Sequence, residues 1–209
     1  ITIPTNVKEI KEFAFNRCKN LRKIEISEDS ELTSIESGAL SYIPITSLNI
    51  TSKISELKEG WCMNTLKLNQ IIISPKNKHF KILNNKMIIG KSDPENENFD
   101  VLVFAERNIE EAVIPSNIHH ICSYAFSGCR YLKSLIFSEN SELSSIGDFA
   151  FSSSSISSIS IPVHVNKIGE FAFYGCKNLK NFEFFENSEL NIIDKKVFSW
   201  SSIENITIP

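Results

Sequence analysis

An apolar pattern recurs along the whole chain at a nearly constant interval. The pattern reads L-x-x-I-x-I, with other aliphatic residues or Phe as substitutes, and its central members are Ile1, Ile24, Leu48, Ile71, Ala112, Leu135, Ile159, Phe182 and Ile206. The successive intervals are 23, 24, 23, 41, 23, 24, 23 and 24 residues. Each copy is long enough for one short strand, and a single copy cannot bury its own apolar face. The repeat therefore predicts a stack of strand-bearing units that is interrupted once.

A second motif lies between the predicted strands. It reads V/I-x-x-I-x-x-F-A-F-x-x-C-x-x-L, with Tyr as one substitute, and three copies occupy residues 7–21, 118–132 and 165–179. In the third unit, Gly60-Trp61-Cys62 stands where F-A-F would fall. We expect the A-F segment to form a short helical turn on the return path of each unit. We also expect the cysteine of each full copy to be buried as a small apolar residue.

Together the two motifs resemble a known repeat family. A period of 20–29 residues with L-x-x-L-x-L is the signature of leucine-rich repeats. The A-F-x-x-C and I-P-x-x-V elements are similar to those of the BspA-like, treponemal-type leucine-rich repeats of bacterial and parasitic-protozoan surface proteins. We therefore predict an α/β leucine-rich-repeat solenoid with a concave parallel β-sheet, short helical turns and irregular return segments. The resemblance also implies a cell-surface or secreted protein that binds host cells, matrix proteins or other microbes.

The predicted organisation is one solenoid over residues 1–209, with about eight units of 23–24 residues. The long interval predicts an insertion at about residues 76–108, in which apolar runs on either side of a polar stretch form one β-hairpin. About 30 residues are too few to hold a separate core. Because the chain starts and stops at strand positions, we expect a fragment of a longer array, with ends that can self-associate and any membrane anchor elsewhere.

Charge and motif content argue against several function classes. The 22 Lys and Arg nearly balance the 25 Asp and Glu, so no basic footprint for nucleic acid exists. Nucleotide-binding and hydrolase motifs are missing, and the four His have no zinc-ligand spacing. The acidic stretch at residues 93–98 lacks the spacing of a calcium loop. We therefore expect the chain to have no catalytic activity and to bind neither a cofactor nor a metal ion. The seven glycines also argue against many tight turns.

The candidate binding residues are the ones that strand alternation sends outward from the predicted concave sheet. The column is polar at its ends (Thr2 and Thr207) and apolar in its middle, and Phe185 flanks it. The candidate protein-binding residues are Glu25, Asn49, Ile72, Val113, Ile136, Ser160, Glu183 and Phe185. An exposed apolar patch on a repeat array is a candidate contact for a protein or a glycan. The alternative is that these residues are present only because β-branched side chains favour strands, or that the insertion covers the apolar patch.

These observations favour a non-catalytic, adhesin-like protein-binding module. Two other hypotheses stay open at this stage. The array can be a structural stalk that projects another domain. It can also be an intracellular protein–protein interaction scaffold, because unpaired thiols are common in a reducing compartment.

Overall fold

The computed structural model describes residues 1–206 and contains sixteen strands in that range. In chain order they are β1 (Glu9–Ile10), β2 (Ser34–Ile35), β3 (Ser47–Ile50), β4 (Glu56–Leu57), β5 (Gln70–Ile73), β6 (Phe80–Leu83), β7 (Met87–Gly90), β8 (Val101–Ala105), β9 (Glu111–Ile114), β10 (His120–Ile121), β11 (Ser134–Phe137), β12 (Ser145–Ile146), β13 (Ser158–Ile161), β14 (Lys167–Ile168), β15 (Asn181–Phe184) and β16 (Ile192–Ile193). The fold is a β-solenoid of stacked parallel strands of the leucine-rich-repeat type. The described range contains no helix, so the α/β class and the helical turns are wrong.

The L-x-x-I-x-I motifs form a row of four-residue strands, which we call the long-strand row. Its members pair in parallel as β3 with β5, β9 with β11, and β13 with β15. In the first two units the row is reduced to a single parallel bridge between Thr2 and Glu25. In each long strand the motif residues point inward, as Leu48 and Ile50 do in β3, while the residue between them points outward. The predicted sheet is therefore present as separate two-stranded pieces within residues 1–206.

A second row of strands, which the sequence analysis did not predict, runs along another side of each unit. These strands pair in parallel as β1-β2-β4 and as β8-β10-β12-β14-β16, and each has two residues except β8, which has five. The second residue of each is aliphatic and mostly buried, as Ile10, Ile35 and Ile146 are. The two strand rows give each unit two parallel ladders around one core.

The A-F segments are tight turns, and the backbone explains why they are not helical. Each begins with a residue of positive φ, such as Phe13 (56°), Tyr124 (64°) or Phe149 (54°), and a second one follows four residues later. A left-handed residue ends a right-handed helix, so only short turns fit between two of them. Thirteen non-glycine residues of the described range have positive φ. The expectation of few tight turns is therefore wrong, because other residues adopt the conformation that glycine favours.

In most of these turns, alternate N–H groups bond within the unit and to the next unit. In the first copy, Ala14 N–H donates to the carbonyl of Lys11 (3.1 Å), whereas Phe15 N–H donates to the carbonyl of Ala39 (2.9 Å). The same alternation recurs around Phe126, whose N–H donates to the carbonyl of Ala150 at 2.7 Å. This ladder satisfies backbone donors that would otherwise be buried without partners.

The insertion is more elaborate than one hairpin. β6, β7 and β8 form an antiparallel meander, and β8 then pairs in parallel with β10, so the insertion extends the short-strand row. Its first turn contains Asn84 and Asn85 at φ 50° and 61°, a conformation that Asn tolerates. Its second turn is closed by Asp100, whose Oδ1 accepts the Ser92 N–H at 2.8 Å.

The insertion divides the core into two parts. Phe80, Ile88 and Phe104 pack with the units that precede it, whereas Met87 and Leu102 pack with the units that follow. Neighbouring residues of β7 and of β8 therefore contribute to different cores. The insertion strands lie between two repeat stacks and are part of both.

Candidate functional site

The long-strand face consists of the outward side chains of the long-strand row and the adjoining Phe185. Ile72, Val113 and Ile136 are 51%, 45% and 56% exposed. These fractions are high for β-branched apolar side chains in a folded protein. The insertion joins the other strand row and leaves these three side chains open.

Strand pairing brings the candidate residues together in register as three pairs. Asn49 lies opposite Ile72, Val113 opposite Ile136, and Ser160 opposite Glu183. In the third pair the Ser160 hydroxyl donates to Glu183 Oε2 at 3.2 Å. Directly opposed side chains on one face of a strand pair lie in contact with each other.

A groove of about 610 Å³ lies beside the second and third pairs. Ile136, Ser160 and Phe185 all line it, together with polar groups such as Glu139 and His164. Phe185 is 53% exposed, so its ring forms an open wall of the groove. The sequence analysis named three of the side chains that meet here, although they come from separate units.

The N-terminal end of the face is more polar. Asn49 and Ile72 line a smaller groove of about 390 Å³ that also contains Glu28. The Ser74 hydroxyl donates to Glu28 Oε1 at 2.6 Å, and this bond lowers the pKa of the Glu28 carboxyl.

Glu25 is already engaged by its neighbours in the first units. The Lys23 ammonium lies 2.6 Å from its carboxylate, and the Thr2 hydroxyl donates to Oε2 at 2.9 Å. The Lys23 hydrogen bond is the main cause of the lowered pKa of Glu25. Glu25 is therefore the candidate whose carboxylate is least available to a partner. Thr207, the last member of the outward column, lies outside the described residues.

Two charged residues at the junction of the two repeat stacks were missed by the sequence analysis. Glu106 is buried, and its Oε1 accepts the Ile71 N–H at 2.8 Å. This carboxylate oxygen takes the place of the backbone carbonyl that a neighbouring strand would supply. Burial raises the pKa of the Glu106 carboxyl.

Arg107 is 2% exposed and also lies at the junction. Its guanidinium donates to the carbonyl of Ala125 at 2.9 Å and lies 4.3 Å from the ring centre of Phe104. Within residues 1–206 its hydrogen-bond partners include no carboxylate. No local sequence pattern distinguishes this pair from surface charges, because their burial is created by the insertion.

The cysteines divide into one exposed thiol and four buried thiols. All five are free, and Cys129 and Cys176 are buried as predicted. Burial raises the pKa of Cys176 to about 11. Cys18 is exposed, so its predicted burial is wrong. Its motif belongs to the first of the described units, and its side chain is part of neither apolar core.

Comparison with known proteins identifies the repeat. The family model described as the BspA type leucine-rich repeat region matches six copies, over residues 1–87 and 98–209. The chain belongs to the BspA-type leucine-rich repeat family. The only interval that the BspA-type repeats do not match, residues 88–97, falls within the insertion. No curated protein matches the sequence.

Three solved structures are similar to this BspA-type array. A leucine-rich cell surface protein from Faecalibacterium prausnitzii has a TM-score of 0.71 at 20% identity, and the match covers 92% of this chain and 62% of that one. The pneumococcal vaccine antigen PcpA has a TM-score of 0.75 at 24% identity, with 90% and 48% covered. A leucine-rich repeat protein from Eubacterium ventriosum has a TM-score of 0.69 at 20% identity, with 88% and 59% covered. At these identities the likeness establishes the fold. The chain spans about half to three fifths of these proteins.

The described range also contains no helix that is long and apolar enough to cross a membrane.

Proposed function

We propose that this BspA-type array is a non-catalytic protein-recognition module of a cell-surface or secreted protein, and that it binds through the long-strand face. The observation that carries the proposal is the exposure of Ile136 and Phe185 along one groove, with the exposed Val113 opposite Ile136 on the neighbouring strand. Apolar side chains on a surface formed by consecutive units are a frequent basis for protein binding. The cell-surface location is supported by the similar protein from Faecalibacterium prausnitzii, which is described as one.

The chemistry of the groove favours a protein partner with an apolar anchor. Ile136 and Phe185 supply the apolar walls, while Ser160 and His164 supply polar groups at the rim. An aromatic or aliphatic side chain of a partner would be buried between these two walls. Such buried anchors commonly dominate the binding energy of protein interfaces. A glycan partner would need more polar groups than these walls offer. Binding to a host cell, to a matrix protein or to another microbe is part of this proposal.

The test uses the chain and two charge-insertion variants of similar exposure. Ile136→Glu places a carboxylate in the groove, whereas Ile192→Glu places one on β16 of the short-strand row, where Ile192 is 49% exposed. We expect saturable binding of the parent chain to epithelial cells or to immobilised matrix proteins. Ile136→Glu should weaken that binding at least about 10-fold, and Ile192→Glu should leave it unchanged.

The controls separate a lost contact from a lost fold. Both variants must keep the circular dichroism spectrum and the urea midpoint of the parent chain. Equal binding by Ile136→Glu and the parent would contradict a role for the groove. The absence of saturable binding by the parent chain would favour the second candidate.

The second candidate is a rigid spacer that projects another domain. It is favoured by the stack of Phe126, Phe151 and Phe173, whose ring centres are 5.0 and 5.1 Å apart. A continuous aromatic stack and the turn ladder beside it resist bending between the units that follow the insertion. A spacer would be folded and would bind neither cells nor matrix.

A further inference from the structure

Three potential metal ligands meet at the junction between the two repeat stacks. Glu59 follows β4, His120 lies in β10, and Cys122 follows β10 directly. One carboxylate oxygen, one imidazole nitrogen and the thiol sulfur all lie within 4.8 Å of one another. Ligands around one Zn²⁺ ion are about 3.3–4 Å apart, given metal–ligand distances of about 2.0–2.3 Å. Small side-chain rotations would bring the three atoms to that spacing.

Neighbouring hydroxyl groups hold two of these side chains in orientation. The Nδ1 atom of His120 lies 2.8 Å from the Ser145 hydroxyl, which leaves Nε2 directed at Glu59 Oε1, 3.4 Å away. The Ser123 hydroxyl donates to the other oxygen of Glu59. Histidine ligands in metal sites commonly use one ring nitrogen for the metal and the other for such a hydrogen bond.

The three side chains form a site with an open mouth and a buried base. The side chains of Glu59 and His120 are 53% and 29% exposed, so an ion can reach them from solvent. Cys122 is 9% exposed and forms the base. A bound metal ion would displace the proton of the Cys122 thiol.

We propose that Glu59, His120 and Cys122 form a binding site for one Zn²⁺ ion. Sulfur, nitrogen and carboxylate oxygen together suit zinc, whereas calcium and magnesium require oxygen ligands. Three protein ligands leave the fourth tetrahedral position to water or to an external group. The sequence analysis expects no metal, because Glu59 is distant along the chain from the other two ligands and no local spacing brings them together.

The place of the site in the fold gives the ion a mechanical role. Glu59 belongs to the unit before the insertion, and the other two ligands belong to the unit after it. The turns of these units touch, since a side-chain carbon at Gly60 would lie 3.3 Å from the Tyr124 ring. Here the turn ladder is interrupted, because the Ala125 carbonyl accepts the Ala105 N–H at 2.9 Å instead of an N–H of the Gly60 turn. A bound ion would join the two stacks across this interruption.

The experiment titrates the reduced chain with CoCl₂ and then displaces Co²⁺ with ZnCl₂. Thiolate ligation of Co²⁺ gives an intense near-ultraviolet charge-transfer band, and tetrahedral geometry gives strong visible bands. We expect one equivalent of Co²⁺ to produce both and one equivalent of Zn²⁺ to remove them. We also expect Zn²⁺ to raise the melting temperature of the parent chain, because the ion binds the folded form.

Matched variants assign the ligands. Cys122→Ser should abolish the charge-transfer band, and His120→Gln should weaken Zn²⁺ binding at least about 100-fold, beyond the 10- to 100-fold typical of outer-shell groups. The controls are Cys18→Ser, at the exposed thiol, and His119→Gln, at the adjacent histidine that pairs with Glu142 at 2.8 Å. Both controls should bind as the parent does.

The proposal has clear contrary outcomes. It is overturned if the parent chain gives no thiolate band, or if His120→Gln and His119→Gln bind Zn²⁺ equally. If Cys122→Ser fails to fold, the two histidine variants decide alone, because both side chains are partly exposed. Zinc binding and cell binding are measured separately, so either can fail without the other.

Discussion

The units before and after the insertion have the same pattern of backbone hydrogen bonds but fill their cores differently. After the insertion, Phe126, Phe151 and Phe173 occupy one position of the turn and stack within 4° of parallel. Before it, the same position holds Phe15, Leu40 and Cys62. The inter-unit hydrogen bonds are nevertheless alike: Leu40 N–H donates to Trp61 O at 2.8 Å, and Phe151 N–H donates to Ala172 O at 2.8 Å. The backbone therefore defines the unit, and the core position accepts any apolar side chain that fills it.

The two repeat stacks also differ in how deeply their motif cysteines are buried. Cys129 and Cys176 are fully buried, whereas Cys18, at the same motif position, is exposed. Identical motif residues thus have different environments because burial in a solenoid depends on both neighbouring units.

The largest expected contrast is in thiol reactivity. At pH 8 we expect Cys18 to react with a maleimide or with Ellman's reagent at least about 100-fold faster than Cys176, because a pKa of about 11 leaves roughly one Cys176 thiol in 1000 ionised and the side chain is buried. Mass spectrometry of peptides after timed labelling measures both rates in one sample. Comparable rates at the two sites would contradict the difference in burial between the two thiols.

Truncation of the aromatic stack should show the next largest effect. Phe151→Ala should lower the free energy of unfolding by about 3–5 kcal/mol, since it leaves a cavity between two rings. Phe15→Ala removes the same atoms from a half-buried position and should have about half that effect or less. Urea unfolding followed by circular dichroism measures both. Equal losses would mean that the first unit is as well packed as the stack.

The junction can be tested at Glu106. Glu106→Ala leaves the buried Ile71 N–H without its acceptor and should lower the free energy of unfolding by about 1–3 kcal/mol. Glu106→Gln keeps a carbonyl oxygen for that N–H and should be nearly neutral or stabilising. Equal effects of the alanine and glutamine substitutions would contradict the role of Glu106 as the acceptor for the Ile71 N–H.

The pH dependence of Glu106→Gln follows from the raised pKa. In the folded state the carboxyl holds its proton more tightly than in the unfolded chain, so its contribution to stability is present at low pH and is lost as pH rises through the folded pKa. Glutamine remains neutral throughout. The stability of Glu106→Gln relative to the parent should therefore increase as pH rises through the acid range. A series of urea titrations between acid and neutral pH measures this trend.

The smallest effect tests the backbone that both stacks share. Ser153 has a φ of 56°, and Ser153→Gly should raise the free energy of unfolding by up to about 1 kcal/mol, because the strain of a left-handed residue exceeds the added chain entropy of glycine. Asn64, with a φ of 54°, lies at the equivalent position before the insertion. Asn64→Gly should gain less, because Asn tolerates this conformation. A loss of stability in Ser153→Gly would contradict strain at the turn.

Much of the candidate face could be predicted from the sequence. Outward positions such as Ile72 and Ile136 follow from strand alternation, and the register of successive units follows from the repeat interval. The Asn84-Asn85 turn also had a local signal, since this dipeptide favours the left-handed turn that joins β6 to β7. In contrast, Glu106 and Arg107 look like surface charges in the sequence.

The sequence by itself determined the repeat, its family and the alternation of inward and outward side chains, because these depend on residues only a few positions apart. The tertiary structure decided what depends on neighbouring units. It replaced the expected helical turns by left-handed turns, because half of their N–H groups bond to the next unit. It exposed Cys18, buried Arg107 and placed Glu59 against His120 and Cys122. Such contacts join residues that are far apart in the chain, and the repeat pattern carries no information about them.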